Sequence, residues 1–171
     1  MIDINNNTAV VFPGQGSQII GMGADLYEKS SIAKDIFDEV DETLGRKLTD
    51  IVFSGSQEVL NKTENAQPAI TATSLACFSV FKDKFKDFTP SVTAGHSLGE
   101  YTSLSASNAL SISDTIRLVS ERGRLMQIAC DKNPGGMVAI IGMEIDVVEE
   151  VCREAGAYPS NINSSQQVII S

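Results

Sequence analysis

The segment TAGHSLGEYTSL, at residues 93–104, places Ser97 between two glycines in the pattern G-x-S-x-G. A short apolar run, SVTAG, precedes the serine, and a run of small residues follows it. When a strand turns directly into a helix, the two backbones pass so closely that glycine is needed on either side of the turn. The pattern therefore predicts a nucleophile elbow at Ser97 in an α/β fold.

The pattern at Ser97 has two interpretations, a catalytic nucleophile or a turn with a purely structural role. A helix that begins at the serine directs its first backbone N–H groups at an acyl oxygen, whereas a glycine-rich turn with a capping serine does no chemistry. His96 is the single histidine of the chain. Adjacent side chains at a strand end point in different directions, so we expect His96 to support the turn and not to deprotonate Ser97.

Hydrophobic periodicity predicts the surrounding elements. The run TAVVF at 8–12 is typical of a buried parallel strand, and apolar residues at every fourth position predict a helix over 30–44. A largely buried helix is expected over 68–81. Ser111 and Asp114 form a capping box for a further helix that reaches about Cys130.

A break at NPGG, residues 133–136, suggests two parts. We expect one subdomain over 1–132 and a second over 133–171. In the second, the runs MVAIIG and QQVIIS, with a helix from about Glu144 to Ala155 between them, predict one βαβ unit. An apolar strand at the end of the sequence leaves an unprotected edge, so we expect the sequence to be incomplete.

Composition excludes several classes of protein. A net charge of −9 disfavours nucleic acid as a partner. The three cysteines are widely spaced and without a CxxC pattern, which indicates neither zinc nor a disulfide framework, and we expect them to be reduced and buried in a cytosolic protein. No membrane span is apparent, and MIDINNNT lacks the features of a signal peptide.

One arginine interrupts an apolar row on the helix that follows Ser111. Positions 118, 122, 125 and 129 of that row are Leu, Arg, Leu and Ala. Arg117 is expected to pair with Glu121, and both it and Arg124 to be solvated. A half-buried Arg122 needs an anion, which is either an internal carboxylate or a carboxylate of the substrate.

The loop PGQGSQ follows the first strand. Its glycines match only the beginning of a dinucleotide-binding G-x-G-x-x-G motif, because Ile19 stands at the third glycine position. A loop placed beside a nucleophile elbow has another use, which is to donate a backbone N–H to an oxyanion hole.

Four segments in order, VFPGQGSQ (11–18), QPAI (67–70), AGHSLGEYTSL (94–104) and ERGRLMQ (121–127), resemble the malonyl-CoA:acyl carrier protein transacylase family of fatty acid synthesis. GGMVAIIG and NINSSQQVIIS resemble the segments that come next in that family. The resemblance implies an α/β-hydrolase-like subdomain with an inserted ferredoxin-like subdomain. Residues 133–171 would then be the beginning of the ferredoxin-like part.

The resemblance also implies roles for particular residues. Ser97 would attack the malonyl thioester of coenzyme A, and the backbone N–H groups of Gln15 and Leu98 would form the oxyanion hole. Arg122 would bind the malonyl carboxylate, and Gln67 would line the entrance for the pantetheine arm. Holo acyl carrier protein would collect the malonyl group. No bound cofactor, metal, nucleic acid or membrane is implied, and the compartment would be the cytoplasm.

The sequence departs from the family in one important respect. The family's general base is a histidine well downstream of the arginine, and no residue of this chain corresponds to it. Two hypotheses follow. Either the chain is the N-terminal portion of a transacylase that works with a second portion, or it is a catalytically silent fragment with at most weak binding to acyl carrier protein. A serine esterase is a third possibility. It is disfavoured by Arg122 and by the loop PGQGSQ at 13–18, which we call the glutamine loop.

Overall fold

The computed structural model describes residues 8–171, and most of the N-terminal segment MIDINNNT lies outside this range. The described chain is mixed α/β, as the sequence predicts. Its elements are, in order, β1 (Ala9–Phe12), α1 (Ala24–Lys29), α2 (Ser31–Leu44), α3 (Leu48–Ser54), α4 (Gln57–Asn61), α5 (Thr63–Lys84), β2 (Val92–Gly95), α6 (Gly99–Ala106), α7 (Ile112–Lys132), β3 (Val138–Ile141), α8 (Ile145–Ala155), β4 (Pro159–Ser164) and β5 (Gln167–Ile170).

The chain forms two compact units, of which the first ends at Ile128 and the second covers Ala129–Ser171. The division falls within α7, four residues before the boundary expected after residue 132. Each unit has its own sheet and its own hydrophobic core.

The sheet of the first unit consists of the parallel strands β1 and β2, with Ala9 opposite Val92 and Phe12 opposite Gly95. The strand β1 was expected to be buried, but of its residues only Phe12 is. Val11 is 72% exposed and Val92 is 55% exposed. Successive side chains of a strand face opposite sides of the sheet. The side that carries Phe12 packs on Phe78, and the other side is open within residues 8–171.

The helix predicted over 30–44 is confirmed, with α2 beginning after its cap Ser30 and ending before Gly45. Ser30 caps its first turn by accepting a hydrogen bond from the Ala33 N–H at 3.3 Å. Gly45 ends it in the left-handed conformation, with a φ of 62°. Its buried face packs into the main core of the unit together with the buried face of α5.

Helix α5 begins at Thr63, five residues before the predicted start at Pro68. Proline lacks an N–H, so Pro68 cannot donate to the Glu64 carbonyl four residues earlier. That carbonyl instead accepts a hydrogen bond from Arg46 Nη2 at 3.3 Å. The freed acceptor therefore has a partner, and the helix continues through the proline.

Helix α7 begins as predicted. The Asp114 N–H donates to Ser111 Oγ at 3.0 Å, and Ser111 Oγ donates to Asp114 Oδ2 at 2.7 Å. The predicted apolar row is not the packed one, because Leu118 is 45% exposed and Leu125 is 52% exposed. The buried side of the helix carries the small or branched residues Thr115, Ile116, Val119 and Gly123.

The second unit corrects the expected βαβ arrangement. Strand β4 was not predicted, and β5 pairs antiparallel with both β3 and β4, in the order β3-β5-β4. The unit is thus βαββ. Val148 and Cys152 of α8 pack on Val168 of β5 and form its core.

The cysteines are free, as expected, but Cys77 and Cys130 are exposed and only Cys152 is buried. Among residues 8–171, no helix combines the length and the apolar character that a bilayer crossing requires. The same residues contain no cluster of three or more potential metal ligands.

Candidate active site

The turn between β2 and α6 depends on two glycines. A Cβ atom added at Gly95 would lie 1.9 Å from the carbonyl carbon of Gly99, and one added at Gly99 would lie 2.4 Å from the Phe12 carbonyl oxygen. Both neighbours are backbone atoms, which cannot swing aside. The spacing of the glycines therefore lets α6 start in direct contact with both strands, as the pattern predicts.

Ser97 occupies the turn itself. It has a φ of 55°, in the left-handed region that side chains other than glycine rarely adopt, and it is exposed. Strained backbone of this kind is concentrated at functional sites. The Ser97 hydroxyl accepts a hydrogen bond from Arg122 Nη2 at 2.9 Å.

Arg122 lies between three neutral groups. Its Nη1 donates to Gln67 Oε1 at 2.6 Å, its Nη2 donates to Ser97 Oγ, and its guanidinium carbon is 6.0 Å from the centre of the Tyr101 ring. Of the two anions considered from the sequence, an internal carboxylate is not observed, since no ion pair of Arg122 occurs within residues 8–171. The guanidinium is half-buried, and no carboxylate within residues 8–171 neutralises its charge.

The approach of α7 to α5 brings Arg122 and Gln67 together. A Cβ at Gly123 would lie 2.6 Å from the Thr63 carbonyl oxygen, so the two helices touch at their backbones there. One turn further along α7, Gln127 Oε1 accepts a hydrogen bond from the Thr63 N–H at 3.2 Å. The first turn of α5 is thus fixed to α7, and Gln67 follows it by one turn.

The structure places Gln67 in the interior of the first unit, and its expected role at an entrance stays a prediction. It is fully buried, with 0% of its surface exposed, and its amide connects two residues of α7. Oε1 accepts from Arg122, and Nε2 donates to Met126 Sδ at 3.1 Å. The side chain is part of the support of Arg122.

The loop after β1 lies against the elbow. A Cβ at Gly14 would lie 2.7 Å from His96 Nδ1 and 2.9 Å from the His96 carbonyl oxygen. The Gln15 side chain donates from Nε2 to Thr63 Oγ1 at 3.2 Å, which anchors the loop on α5. Among hydrogen bonds within residues 8–171, neither the Gln15 N–H nor the Leu98 N–H has an acceptor. Both remain candidates for an oxyanion hole.

His96 contributes to the turn through its backbone. Its N–H donates to the Phe12 carbonyl at 3.1 Å and extends the parallel pairing by one residue. Its ring lies against Gly14, so it helps to hold the glutamine loop beside the elbow.

The other arginines of α7 are exposed and paired, although one pairing differs from that expected. Arg117 binds Asp114 at 3.0 Å, and Glu121 binds Arg124 at 2.7 Å. Both pairs are three residues apart, and Asp114 binds Ser111 through Oδ2 and Arg117 through Oδ1. The hydrogen bond from Arg124 lowers the pKa of Glu121. Arg122 is the arginine of this segment without such a carboxylate within the described chain.

Sequence reasoning gave no role to four residues around the site, although all but Thr63 lie within the quoted motifs: Tyr101, Thr63, Met126 and Gln127. Two of them carried a usable signal. Tyr101 is four residues after Ser97, and Met126 is four residues after Arg122, so each lies one helical turn from a residue already selected. The other two depend on how α5 and α7 cross, which no local pattern shows.

A comparison with known proteins defines the class of this molecule. The family model of the acyl transferase domain matches residues 9–171, so the chain belongs to the acyl transferase domain family. The curated relatives narrow the class. The malonyl CoA-acyl carrier protein transacylase of Bacillus subtilis (strain 168) is 46% identical over 168 residues, and that of Haemophilus influenzae is 44% identical over 167 residues. The resemblance seen in the four motifs is confirmed.

Solved structures of malonyl transacylases also match this chain. The transacylase of Coxiella burnetii matches with a TM-score of 0.88 at 37% identity, covering 98% of this chain and 54% of its own. A malonyl-transacylase in complex with its type II PKS acyl-carrier protein matches with a TM-score of 0.86 at 41% identity, covering 96% of this chain and 54% of its own. The Bacillus subtilis match covers 95% of this chain and 52% of the relative, and the Haemophilus influenzae match covers 95% and 54%. The chain therefore spans about half the length of these proteins.

Proposed function

We propose that this chain provides the acyl-binding part of a malonyl-CoA:acyl carrier protein transacylase, in which Ser97 carries the malonyl group as an ester. The observation that carries the proposal is Arg122. It is half-buried, it has no carboxylate partner within residues 8–171, and its Nη2 lies 2.9 Å from Ser97 Oγ. A guanidinium in that position is suited to a carboxylate on the acyl group that Ser97 carries.

The proposed reaction has two halves. Ser97 Oγ attacks the thioester carbonyl, the C–S bond breaks, and coenzyme A leaves as the thiol with the proton that Ser97 gave up. The thiol of holo acyl carrier protein then attacks the ester carbonyl, the C–O bond to Ser97 breaks, and Oγ regains a proton. In both halves the N–H groups of Gln15 and Leu98 would stabilise the negative charge on the acyl oxygen.

The proton transfers need a general base, because a serine hydroxyl is a poor nucleophile at neutral pH. The ring of His96, the chain's single histidine, lies against Gly14. The relatives extend beyond the region that this chain matches. We propose that a histidine in the corresponding second portion supplies the base. The substrate itself is the coenzyme A thioester, and no bound cofactor enters the proposal. The free thiols support a cytoplasmic location.

The test is to locate the acyl group. The chain is incubated with malonyl-CoA together with a polypeptide covering the unmatched half of the Bacillus subtilis relative, and peptide mass spectrometry finds the modified residue. We expect malonyl on Ser97, none in Ser97→Ala, and normal labelling in the matched variant Ser107→Ala, whose serine is exposed at the end of α6. Holo acyl carrier protein should then remove the label.

The alternative hypothesis gives a different result. If a reconstituted protein binds acyl carrier protein but never acquires malonyl on Ser97, the chain is a silent fragment and the proposal is wrong. Labelling of Ser97 by acetyl-CoA as readily as by malonyl-CoA would instead favour an esterase-like serine without a carboxylate site.

A further inference from the structure

Four side chains form a continuous series of hydrogen bonds that ends at the nucleophile. Gln67 Nε2 donates to Met126 Sδ at 3.1 Å, Arg122 Nη1 donates to Gln67 Oε1 at 2.6 Å, and Arg122 Nη2 donates to Ser97 Oγ at 2.9 Å. Met126 and Arg122 are one turn apart on α7, so Gln67 bridges two successive turns of that helix.

Arg122 and Met126 together hold the Gln67 amide in one orientation. A thioether sulfur only accepts hydrogen bonds, a guanidinium only donates, and a side-chain amide has one end of each kind. With Nε2 on Met126, Oε1 faces Arg122. The reversed amide would bring its NH₂ group against the guanidinium and leave donors facing each other in a fully buried place.

The two ends of the Arg122 guanidinium have different surroundings. The end at Nη1 is bound to a residue with no exposed surface, whereas the end at Nη2 is bound to the exposed Ser97. Gln67 is neutral and leaves the positive charge of Arg122 available. The buried hydrogen bond therefore fixes the side chain, and the hydrogen bond to Ser97 is the one that an incoming carboxylate can replace.

From this geometry we infer that Gln67, oriented by the Met126 thioether, is a positioning residue that makes the site selective for acyl groups with a free carboxylate. The inference rests on the proposed function for the identity of the acyl group. It assigns Gln67 to the orientation of Arg122 and gives Met126 a role in selectivity.

The test measures carboxylate binding by the full 171-residue chain, without any need for turnover. Malonate and acetamide, which has no carboxylate, are titrated separately, and the NMR signal of the Arg122 Nε–H reports binding. In Met126→Leu, which keeps the side-chain volume and removes the acceptor, we expect malonate to bind about two- to tenfold more weakly. Met143→Leu is the matched control, because Met143 is 43% exposed and Met126 is 39% exposed.

A second variant separates positioning from stability. In Gln67→Glu the new carboxylate would pair with Arg122 and repel malonate but not the neutral acetamide, so the preference for malonate over acetamide should fall by roughly tenfold or more. A loss of folding alone would weaken the binding of both ligands. The melting temperature of each variant shows whether folding has been lost. Malonate binding by Met126→Leu at the wild-type affinity, or an unchanged malonate preference in Gln67→Glu, would overturn the inference.

The outcome is distinct from that of the labelling experiment. If Ser97 never carries malonyl, the proposed function fails, but the titration still decides whether Gln67 and Met126 govern carboxylate binding at Arg122. If Ser97 is labelled and the variants keep the wild-type preference for malonate, the transacylase proposal stands and the positioning role is wrong.

Discussion

Replacement of Gly95 by alanine tests the physical basis of the elbow. The added Cβ would lie 1.9 Å from the Gly99 carbonyl carbon, and ordinary contact begins at 3.4 Å, so the backbones must separate by about 1.5 Å. Helix α6 has no room to shift sideways, because Gly99 is itself in contact with the Phe12 carbonyl. Overpacking costs about 1–3 kcal/mol, and contact with backbone on two sides places Gly95→Ala at about 3 kcal/mol.

The assay is urea unfolding followed by NMR signals of Tyr27 and Tyr101, both of which belong to the first unit. With a urea dependence of about 2 kcal/mol per molar, the midpoint should fall by about 1.5 M. Gly136→Ala is the matched control, because an added Cβ there meets nothing within 4 Å. An unchanged midpoint for Gly95→Ala would refute the claim that the glycine spacing is required for close contact between strand and helix.

Three further predictions concern the framework. Asp41 is buried and accepts hydrogen bonds from the Thr49 N–H at 3.1 Å and from Thr49 Oγ1 at 2.6 Å, so Asp41→Ala should lower the free energy of unfolding by about 2–3 kcal/mol in urea melts. Ser111→Ala removes the cap of α7 and should cost about 1 kcal/mol in the same melts, whereas an equal stability would contradict the capping role. Cys77 is exposed as a residue, but the protein around its thiol partly desolvates it, and this, with a smaller contribution from Asp25, raises the pKa of Cys77, so less thiolate is present at a given pH. The pH profile of its alkylation by iodoacetamide should therefore lie at higher pH in the folded chain than in urea, and coinciding profiles would contradict this.

The elbow could be predicted from sequence because its requirements are local. At this sharp turn from strand to helix, Gly95 and Gly99 are both in backbone contact that leaves no room for a Cβ. The same holds for the Ser30 and Ser111 caps, each of which bonds to the N–H three residues later. Local patterns of this kind do not depend on the rest of the fold.

The partners of Arg122 could not be predicted, because they depend on tertiary packing. Helical periodicity found the row that contains Leu118 and Leu125 but could not tell which side of α7 packs. Gly123 decides that, since its missing side chain lets α7 meet the backbone of α5 at Thr63. The contact of the buried Gln67 with Arg122 depends on the same approach of the two helices, so sequence patterns could not show it.

Strand β4 was missed because its sequence, PSNINS, is polar and every one of its residues is exposed. It is paired on one side by β5, and backbone pairing needs no apolar side chain. The expected βαβ unit therefore contains a hairpin that reverses the direction of the last strand.

The most direct test of the central claim compares Arg122→Ala with Arg117→Ala, an exposed arginine of the same helix that is bound to Asp114. Transfer from malonyl-CoA and from acetyl-CoA is measured for each variant of the reconstituted protein. Loss of a carboxylate–guanidinium pair costs on the order of 2–5 kcal/mol, so Arg122→Ala should reduce malonyl transfer by about 30-fold or more and leave acetyl transfer nearly unchanged. Arg117→Ala should change neither. Equal losses for both acyl groups in Arg122→Ala would contradict the account.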